Sequence, residues 1–506
     1  MNKPDEHNSG PGGSSLPGPE QEAAEAVNSK EKRSLYAARI KIFPKAVSGF
    51  FRRLKWVILV VALAIYYITP WLRFDRGPHV PDQAVLLDLA NRRFYFFFIE
   101  IWPQEFYYVA GLLIMAGIGL FLVTSVVGRA WCGYACPQTV WTDLFLKVEH
   151  WIEGDRNARI KLDKQPWSFA KFSKFLIKNA IWLLIAMATG GAWIFYFADA
   201  PTLANQMVHL EAPPAAYFTV AVLTATTFIF AGYMREQVCT YMCPWPRIQG
   251  AMLDEDSLIV TYNGWRGEPR TPHRKHIAEG QKIGDCVDCN ACVAVCPMGI
   301  DIRDGNQLEC ITCALCIDAC DNVMEKVGSP KGLISYSTLR GYNAAVEGHP
   351  VKPNWHVFLR ARTLIYFGLW SLIGLLMLAS LVTRDRLSLD VVPDRNPLYV
   401  TLSDGSIRNG FTIKVLNMEN QPRKFIVAVQ DLQGGLISGA DLGESKATSF
   451  EVEVDADKLK AVKIFVEVPR GLIEDSEIDF AFSVTELGSD QPETASRKAI
   501  FHAPKQ

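Results

Sequence analysis

The stretch CVDCNACVAVCP, residues 286–297, decides how this chain is read. Its cysteines, Cys286, Cys289, Cys292 and Cys296, follow the pattern C-x2-C-x2-C-x3-C and are closed by Pro297. Thirteen residues separate Cys296 from a second run, CITCALCIDAC, which carries Cys310, Cys313, Cys316 and Cys320. The doubled run has the spacing of bacterial two-cluster ferredoxins, in which the fourth cysteine of each run ligates the other cluster. Three closely spaced thiolates wrap three corners of a cubane, and the chain leaves before it can cap the fourth. One 4Fe-4S cluster is therefore assigned to Cys286, Cys289, Cys292 and Cys320, and a second to Cys310, Cys313, Cys316 and Cys296. A structural zinc site needs only four ligands and does not call for a repeated run. The second run ends in Asp321 rather than proline, which removes a turn but leaves all four ligands in place.

Around this core the chain is apolar in blocks. Five stretches reach the roughly 17–25 residues that a bilayer crossing needs: Trp56–Leu72, Phe106–Val127, Phe175–Phe197, Ala216–Met234 and Thr363–Val382. The first follows more than fifty mostly polar residues, so a cleaved signal peptide is not expected. Lys and Arg are dense before the first block, between the second and third, and over residues 235–362. Residues 198–215 have none. The positive-inside rule then places the N-terminus in the cytoplasm and the C-terminus outside, with Arg73, Arg76, Arg92 and Arg93 as a mild exception. All twelve cysteines lie between Cys132 and Cys320, on the cytoplasmic side of this topology. Thiols there stay reduced, which favours metal or redox chemistry over disulfides. A formal net charge of −1 supplies no basic field for nucleic acid.

Four cysteines remain. RAWCGYACP (129–137) ends the second apolar block and REQVCTYMCP (235–244) ends the fourth. Each has an upstream arginine, Arg129 or Arg235, and then Cys-x-Tyr-x-Cys-Pro, with Tyr134 matching Tyr241. We read an internal repeat of two helix pairs that brings Cys132, Cys136, Cys239 and Cys243 to one membrane face. Proline disfavours helix at the preceding cysteine and suits the first position of a new helix. Cys136 and Cys243 should thus stand where one helix ends and another begins, and a helix N-terminus favours the thiolate. Thiolates select soft metals such as Cu(I) or iron–sulfur units. Buried apolar packing, a zinc site, a dithiol pair and an extra iron–sulfur site are the competing readings. Met242 is a further thioether donor, or simply membrane-facing.

The remaining segments are assigned by pattern. Residues 1–34 read as a disordered cytoplasmic tail. Residues 35–265 hold four helices with the two CxxxCP motifs, and 266–355 form the cytoplasmic ferredoxin-like domain. Residues 356–385 carry the fifth helix, and 386–506 an immunoglobulin-like β-sandwich built on period-two runs such as FTIKVLN and VKIFVEV. LLDLANRRFYFFFIEIWP (86–103) reads as two strands about an Asn-Arg-Arg turn. After Pro137, the residues Trp141, Leu144, Phe145, Val148, Trp151 and Ile152 make one helical face, with Asp143, Lys147, Glu149 and Glu153 off it. That helix fits the membrane surface or the soluble domain. The fold class is a multi-domain integral membrane protein with five transmembrane helices, a two-cluster ferredoxin-like domain and a β-sandwich.

With these motifs in view, the chain resembles the FixG/CcoG family of cytochrome oxidase accessory proteins from about residue 35 onward. The resemblance rests on FFIEIWPQEFYYVAGLLI, GRAWCGYACPQTVWTDLF, CTYMCPWPRIQGAMLDEDSLIVTYN, the doubled cysteine run and the C-terminal sandwich. It implies a multi-pass protein of the bacterial inner membrane that helps mature a cbb-type oxidase. It also implies cupric reductase activity, with Cys132, Cys136, Cys239 and Cys243 as the copper and catalytic site. The partners implied are the oxidase or its copper chaperones and transporters. Two other readings stand beside this one: a quinol-linked electron conduit, and a non-catalytic assembly scaffold. The electron donor and the oligomeric state, with a homodimer as one option, stay open at this point.

Overall fold

The computed structural model describes Ala24, Ala26 and residues 40–504, apart from 78–79, 272–282, 350–358, 385–386, 420, 440–445, 457, 474 and 489–491. The tail assigned to residues 1–34 lies, save Ala24 and Ala26, outside the described residues. The chain divides into two compact units, Met1–Leu72 with Val85–Leu375, and Arg73–Ala84 with Leu376–Gln506.

The first unit begins with α1 (Phe50–Ile68) and a small antiparallel sheet, β1 (Val85–Asp88), β2 (Arg93–Phe96) and β3 (Ile99–Ile101). Two strands were expected here. A third arises because Phe97 takes a left-handed φ of 53° and turns the aromatic run back on itself. Then come α2 (Tyr107–Val127), α3 (Pro137–Glu153), α4 (Arg156–Lys164), α5 (Phe169–Ile194), α6 (Ala200–Val208), α7 (Pro214–Thr227) and α8 (Trp245–Met252). The cysteine-rich part holds β4 (Ile259–Tyr262), α9 (Gly264–Gly267), α10 (Ala291–Val295), α11 (Leu315–Lys326), β5 (Ile334–Ser337) and α12 (Leu339–Val346). The last helix is α13 (Ala361–Val382).

Five helical stretches are long and apolar enough to cross a membrane: Phe50–Trp71, Pro103–Val127, Phe169–Ile194, Pro214–Met234 and Ala361–Val382. The first starts at Phe50 rather than Trp56, and the third at Phe169 rather than Phe175. Apolar patterning stops at charge, but Arg52, Lys55 and Lys178 lie inward and are paired, while Arg53 is exposed. Lys55 is only 2% exposed and lies 3.5 Å from Asp143. Arg52 donates twice to the same carboxylate at 3.0 Å. Lys178 meets Glu153 at 2.7 Å rather than reaching for water.

Asp143 and Glu149 were expected on the polar face of α3. Both are instead buried, Glu149 against Arg159, Arg235 and Lys178. The apolar face of α3 packs Phe145 and Val148 against Trp182 and Ala186 of α5. The Phe145 and Trp182 rings stack with centroids 5.1 Å apart. This helix is therefore fixed to the other helices by both of its faces; Leu144 and Trp151 of the expected stripe lie outside that cluster, Trp151 at 76% exposure.

Two further contacts tie the cysteine-rich part to the apolar helices. Asp318 of α11 accepts from the backbone N–H groups of Phe51 and Arg52 at 3.2 and 2.7 Å, so a carboxylate caps the N-terminus of α1. Arg360, just ahead of α13, donates to both oxygens of Asp254 at 2.8 Å.

The second unit is a sandwich. One sheet has the order β10 (Leu436–Ser438), β12 (Leu459–Val468), β8 (Ile407–Asn417), β6 (Leu387–Pro393), with β7 (Val400–Thr401) also on β8. The other runs β11 (Ser449–Val454), β9 (Arg423–Gln430), β13 (Glu477–Leu487), β14 (Thr494–His502). Alternate residues of β8 are buried, as the period-two pattern predicts. Phe411, Phe480 and Phe482 meet edge to face at the centre, with Phe480 and Phe482 centroids 5.0 Å apart.

Removing one side of a buried ion pair strands the other charge, at a cost of roughly 3–5 kcal/mol. Asp143→Ala leaves Lys55 and Arg52 without their carboxylate. We expect a clear fall in the thermal midpoint of the detergent-solubilised chain. An unchanged midpoint would show that α1 and α3 are held by apolar packing alone.

Candidate functional site

The two cysteine loops share one backbone solution. In the first, Asp288 (φ 48°) and Asn290 (φ 54°) flank Cys289 in the left-handed region. In the second, Thr312 (φ 57°) and Ala314 (φ 59°) flank Cys313 in the same way. A β-branched threonine and an alanine rarely adopt this conformation, so the loop shape is being enforced. Paired left-handed residues curl a C-x2-C-x2-C segment so that its thiols face one centre.

Different partners hold the two loops. Arg303 donates to Asp288 Oδ1 at 2.6 Å and Asn290 Oδ1 at 2.7 Å, pinning both left-handed residues of the first. Asp301 braces that guanidinium at 2.6 Å. In the second loop, Tyr336 of β5 donates to Thr312 O at 3.0 Å and Tyr134 to Cys313 O at 3.1 Å.

The thiols fall into two groups. Cys296, Cys310, Cys313 and Cys316 line one small cavity with Met298, Ile300 and Ile311, and Cys292 of the other group lines it too. Burial pushes the Cys296 thiol up to about 12, with Cys313 and Cys310 adding to it. Burial likewise pushes Cys320 up to about 12, and there the neighbours are Cys289 and Cys286. The fourth cysteine of each run thus meets the opposite run, as crossed ligation requires. Among the described residues, no three His, Cys, Asp or Glu side chains converge as they would on a single ion. Thiolates on one tetrahedral zinc stand about 3.8 Å apart, whereas those of a cubane, each on its own iron, stand farther apart. The residues present fit two clusters.

Both CxxxCP motifs fold as one π-helical turn, Trp131–Ala135 and Val238–Met242. The amide of Cys136 donates to Trp131 O at 2.9 Å and that of Cys243 to Val238 O at 2.8 Å, each closing the wider ring. Both cysteines then turn extended (ψ 129° and 125°); Pro137 opens α3, whereas Pro244 stands one residue ahead of α8 as its N-cap. The repeat and the helix boundaries expected from sequence are therefore present. The four thiols also come together: Cys132 feels the charge of Cys136 and Cys243, and Cys239 feels all three others. The expected thiolate at a helix N-terminus needs correction. Burial raises the Cys136 thiol and outweighs the N–H groups of Thr139 and Gln138 at the start of α3. Burial also pushes Cys132 up to about 11 and Cys239 up to about 12. Met242 is half exposed.

This thiol group adjoins the second cluster group. Cys132 and Cys239 pack with Cys310, Cys313, Cys316 and Cys296 in one cluster of side chains. Gly133 makes the approach feasible, because a Cβ there would stand 2.6 Å from Ile311 O and 3.1 Å from the Cys313 backbone.

Sequence reasoning noted Arg129 and Tyr134 only as repeat markers, and missed Gln249 and Arg303. Arg129 is buried, donates to Leu308 O, and its charge favours the thiolates of Cys132, Cys239 and Cys310. Its guanidinium also reaches the Cys132 thiol as a hydrogen-bonding neighbour. Gln249, fully buried, accepts from Cys132 Sγ at 2.9 Å. The repeat is unequal here: Arg235 turns to Glu149, and Tyr241 is 44% exposed.

Residues 234–339 match a family described as a 4Fe-4S dicluster domain, and residues 109–158 one described as a 4Fe-4S binding domain. Residues 377–504 match one described as an IG-like fold at the C-terminus of FixG. The chain is 56% identical over 506 residues to the nitrogen fixation protein FixG of Rhizobium meliloti, covering 95% of this chain and 96% of that one. It is 55% identical to protein RdxA of Cereibacter sphaeroides (86% of this chain, 91% of that one) and 59% identical to RdxB (78% and 83%). Among solved structures, a FixG-related protein from Vibrio parahaemolyticus aligns over 24% of this chain and 97% of its own, at 17% identity and TM-score 0.20.

Crossed ligation is testable by pairing substitutions. Cys286→Ala with Cys320→Ala should empty one group and leave about half the iron. Cys286→Ala with Cys296→Ala should empty both. Iron content and electron paramagnetic resonance after anaerobic loading decide, and the reverse pattern would mean each run binds its own cluster. Gly133→Ala should disturb the signal of the Cys310 group and spare that of the Cys286 group. Equal disturbance of both would show that the close approach is not local.

Proposed function

The chain belongs to the FixG family, an iron–sulfur membrane electron-transfer protein, and on that premise we propose that it is a cupric reductase. It takes Cu(II) at Cys132, Cys136, Cys239 and Cys243 and releases Cu(I) toward the assembly of a cbb-type cytochrome oxidase. The observation that carries this reading is that Cys132 and Cys239 share one side-chain cluster with Cys296, Cys310, Cys313 and Cys316.

When bound, the two clusters would supply electrons one at a time, which matches the single-electron change Cu2+ + e− → Cu+. The chain's own residues do the rest. The four thiols offer soft donors that prefer the product ion, and thiolate ligation releases their protons. Two thiolates are enough for Cu(I), so the absence of a three-ligand convergence among the described residues does not weigh against it. Arg129 offsets the negative charge gathered between Cys132, Cys239 and Cys310. Gln249 holds the Cys132 Sγ–H in a dry, polar contact. In this reading the motifs and clusters face the cytoplasm of a bacterial inner membrane, and the sandwich lies on the periplasmic side.

A second reading keeps the chain as an electron conduit whose four CxxxCP thiols bind iron–sulfur. The family match over residues 109–158, described as a 4Fe-4S binding domain, includes Cys132 and Cys136 and favours it.

Anaerobic Cu(II) reduction by cluster-loaded protein, followed with a Cu(I) chelator, separates the two. The variant with Cys132, Cys136, Cys239 and Cys243 all changed to Ala should keep its iron and lose the reduction. Equal rates in both proteins would sink the copper-site assignment and move the conduit reading ahead.

A further inference from the structure

A second site lies away from the cysteines, where the ends of α5 and of the Pro214–Met234 stretch meet α3 and α4. It is a cavity of about 480 Å3, within the range of small-molecule sites. Membrane-crossing stretches supply the rings of Phe175, Trp182 and Tyr233, and with them Lys171 and Lys178. The remaining lining is also charged. Five cations in all line the cavity (Lys41, Arg159, Lys171, Lys178 and Arg235), against three carboxylates (Glu149, Glu153 and Asp163). The lining therefore has an excess of positive charge.

Arg159 is the decisive residue. It is 2% exposed, yet only its Nη2 is hydrogen-bonded, to Glu149. Its Nε and Nη1 have no hydrogen-bond partner, and Glu153 Oε2 stands 3.7 Å from Nε. A buried guanidinium with two open N–H donors costs free energy unless an acceptor reaches it. Guanidinium geometry suits the paired oxygens of a phosphate.

We propose that this cavity binds the phosphate headgroup of an anionic membrane lipid, with Arg159 as its main ligand. The aromatic rings take the glycerol and first methylenes. Lys171 and Lys41 stand at the rim, 64% of the Lys41 side chain being exposed. A lipid is favoured over a free phosphate because six of the sixteen lining residues, among them Phe175, Trp182 and Tyr233, come from membrane-crossing stretches, an apolar surface that a small hydrophilic anion does not need. The site is separate from the cysteines and does not rest on the copper reading.

The test is native mass spectrometry of the full chain, delipidated in detergent and titrated with phosphatidylglycerol, phosphatidylcholine or inorganic phosphate. The wild type should retain phosphatidylglycerol preferentially. Arg159→Gln should weaken that retention roughly tenfold, the scale of one charged hydrogen-bond pair. Should Arg159→Gln fail to fold, the rim double variant Lys41→Gln with Lys171→Gln keeps the test open, with a smaller loss expected. Equal retention of phosphatidylcholine would overturn the proposal. So would binding of inorganic phosphate with no lipid retained, or unaltered retention in the folded variants.

Discussion

Much of the first unit depends on the contact between the turn Trp131–Ala135 and the loop Ile311–Cys313. A glycine without a Cβ and a tyrosine hydroxyl let two backbones lie almost against each other. Through that contact the end of one membrane helix becomes part of the wall of a cluster site. Asp318 adds a second fastening by capping α1 from the helix that carries Cys316 and Cys320. The ferredoxin-like part is consequently built into the ends of the apolar helices.

Much of this was legible beforehand because its signals are local. Cysteine spacing specifies loop shape, since each C-x2-C-x2-C segment must curl around one centre. Apolar length specifies crossing helices, and alternation specifies the sandwich. Proline after each CxxxCP motif specified where a helix would end, and both cysteines are extended there.

What escaped was set by distant partners. Asp143 and Glu149 look like surface residues on a helical wheel, yet each is buried because cations from other elements reach it. Arg303 and Gln249 carry no motif, and their roles depend on loops far away in sequence. Helix α1 begins before its charges for the same reason. The thiol at the start of α3 shows the limit of a one-factor argument: two helix N–H groups act on Cys136, and burial outweighs them.

The left-handed residues around Cys313 have one more consequence. Thr312 and Ala314 hold a conformation that costs free energy, and ligation of the neighbouring thiols is what would stabilise it. Gly133 and Tyr134 rest on that same loop. The strain of the cluster loop and the seat of the second membrane helix are thus one structural matter: whatever stabilises Thr312 and Ala314 also steadies the turn that ends that helix.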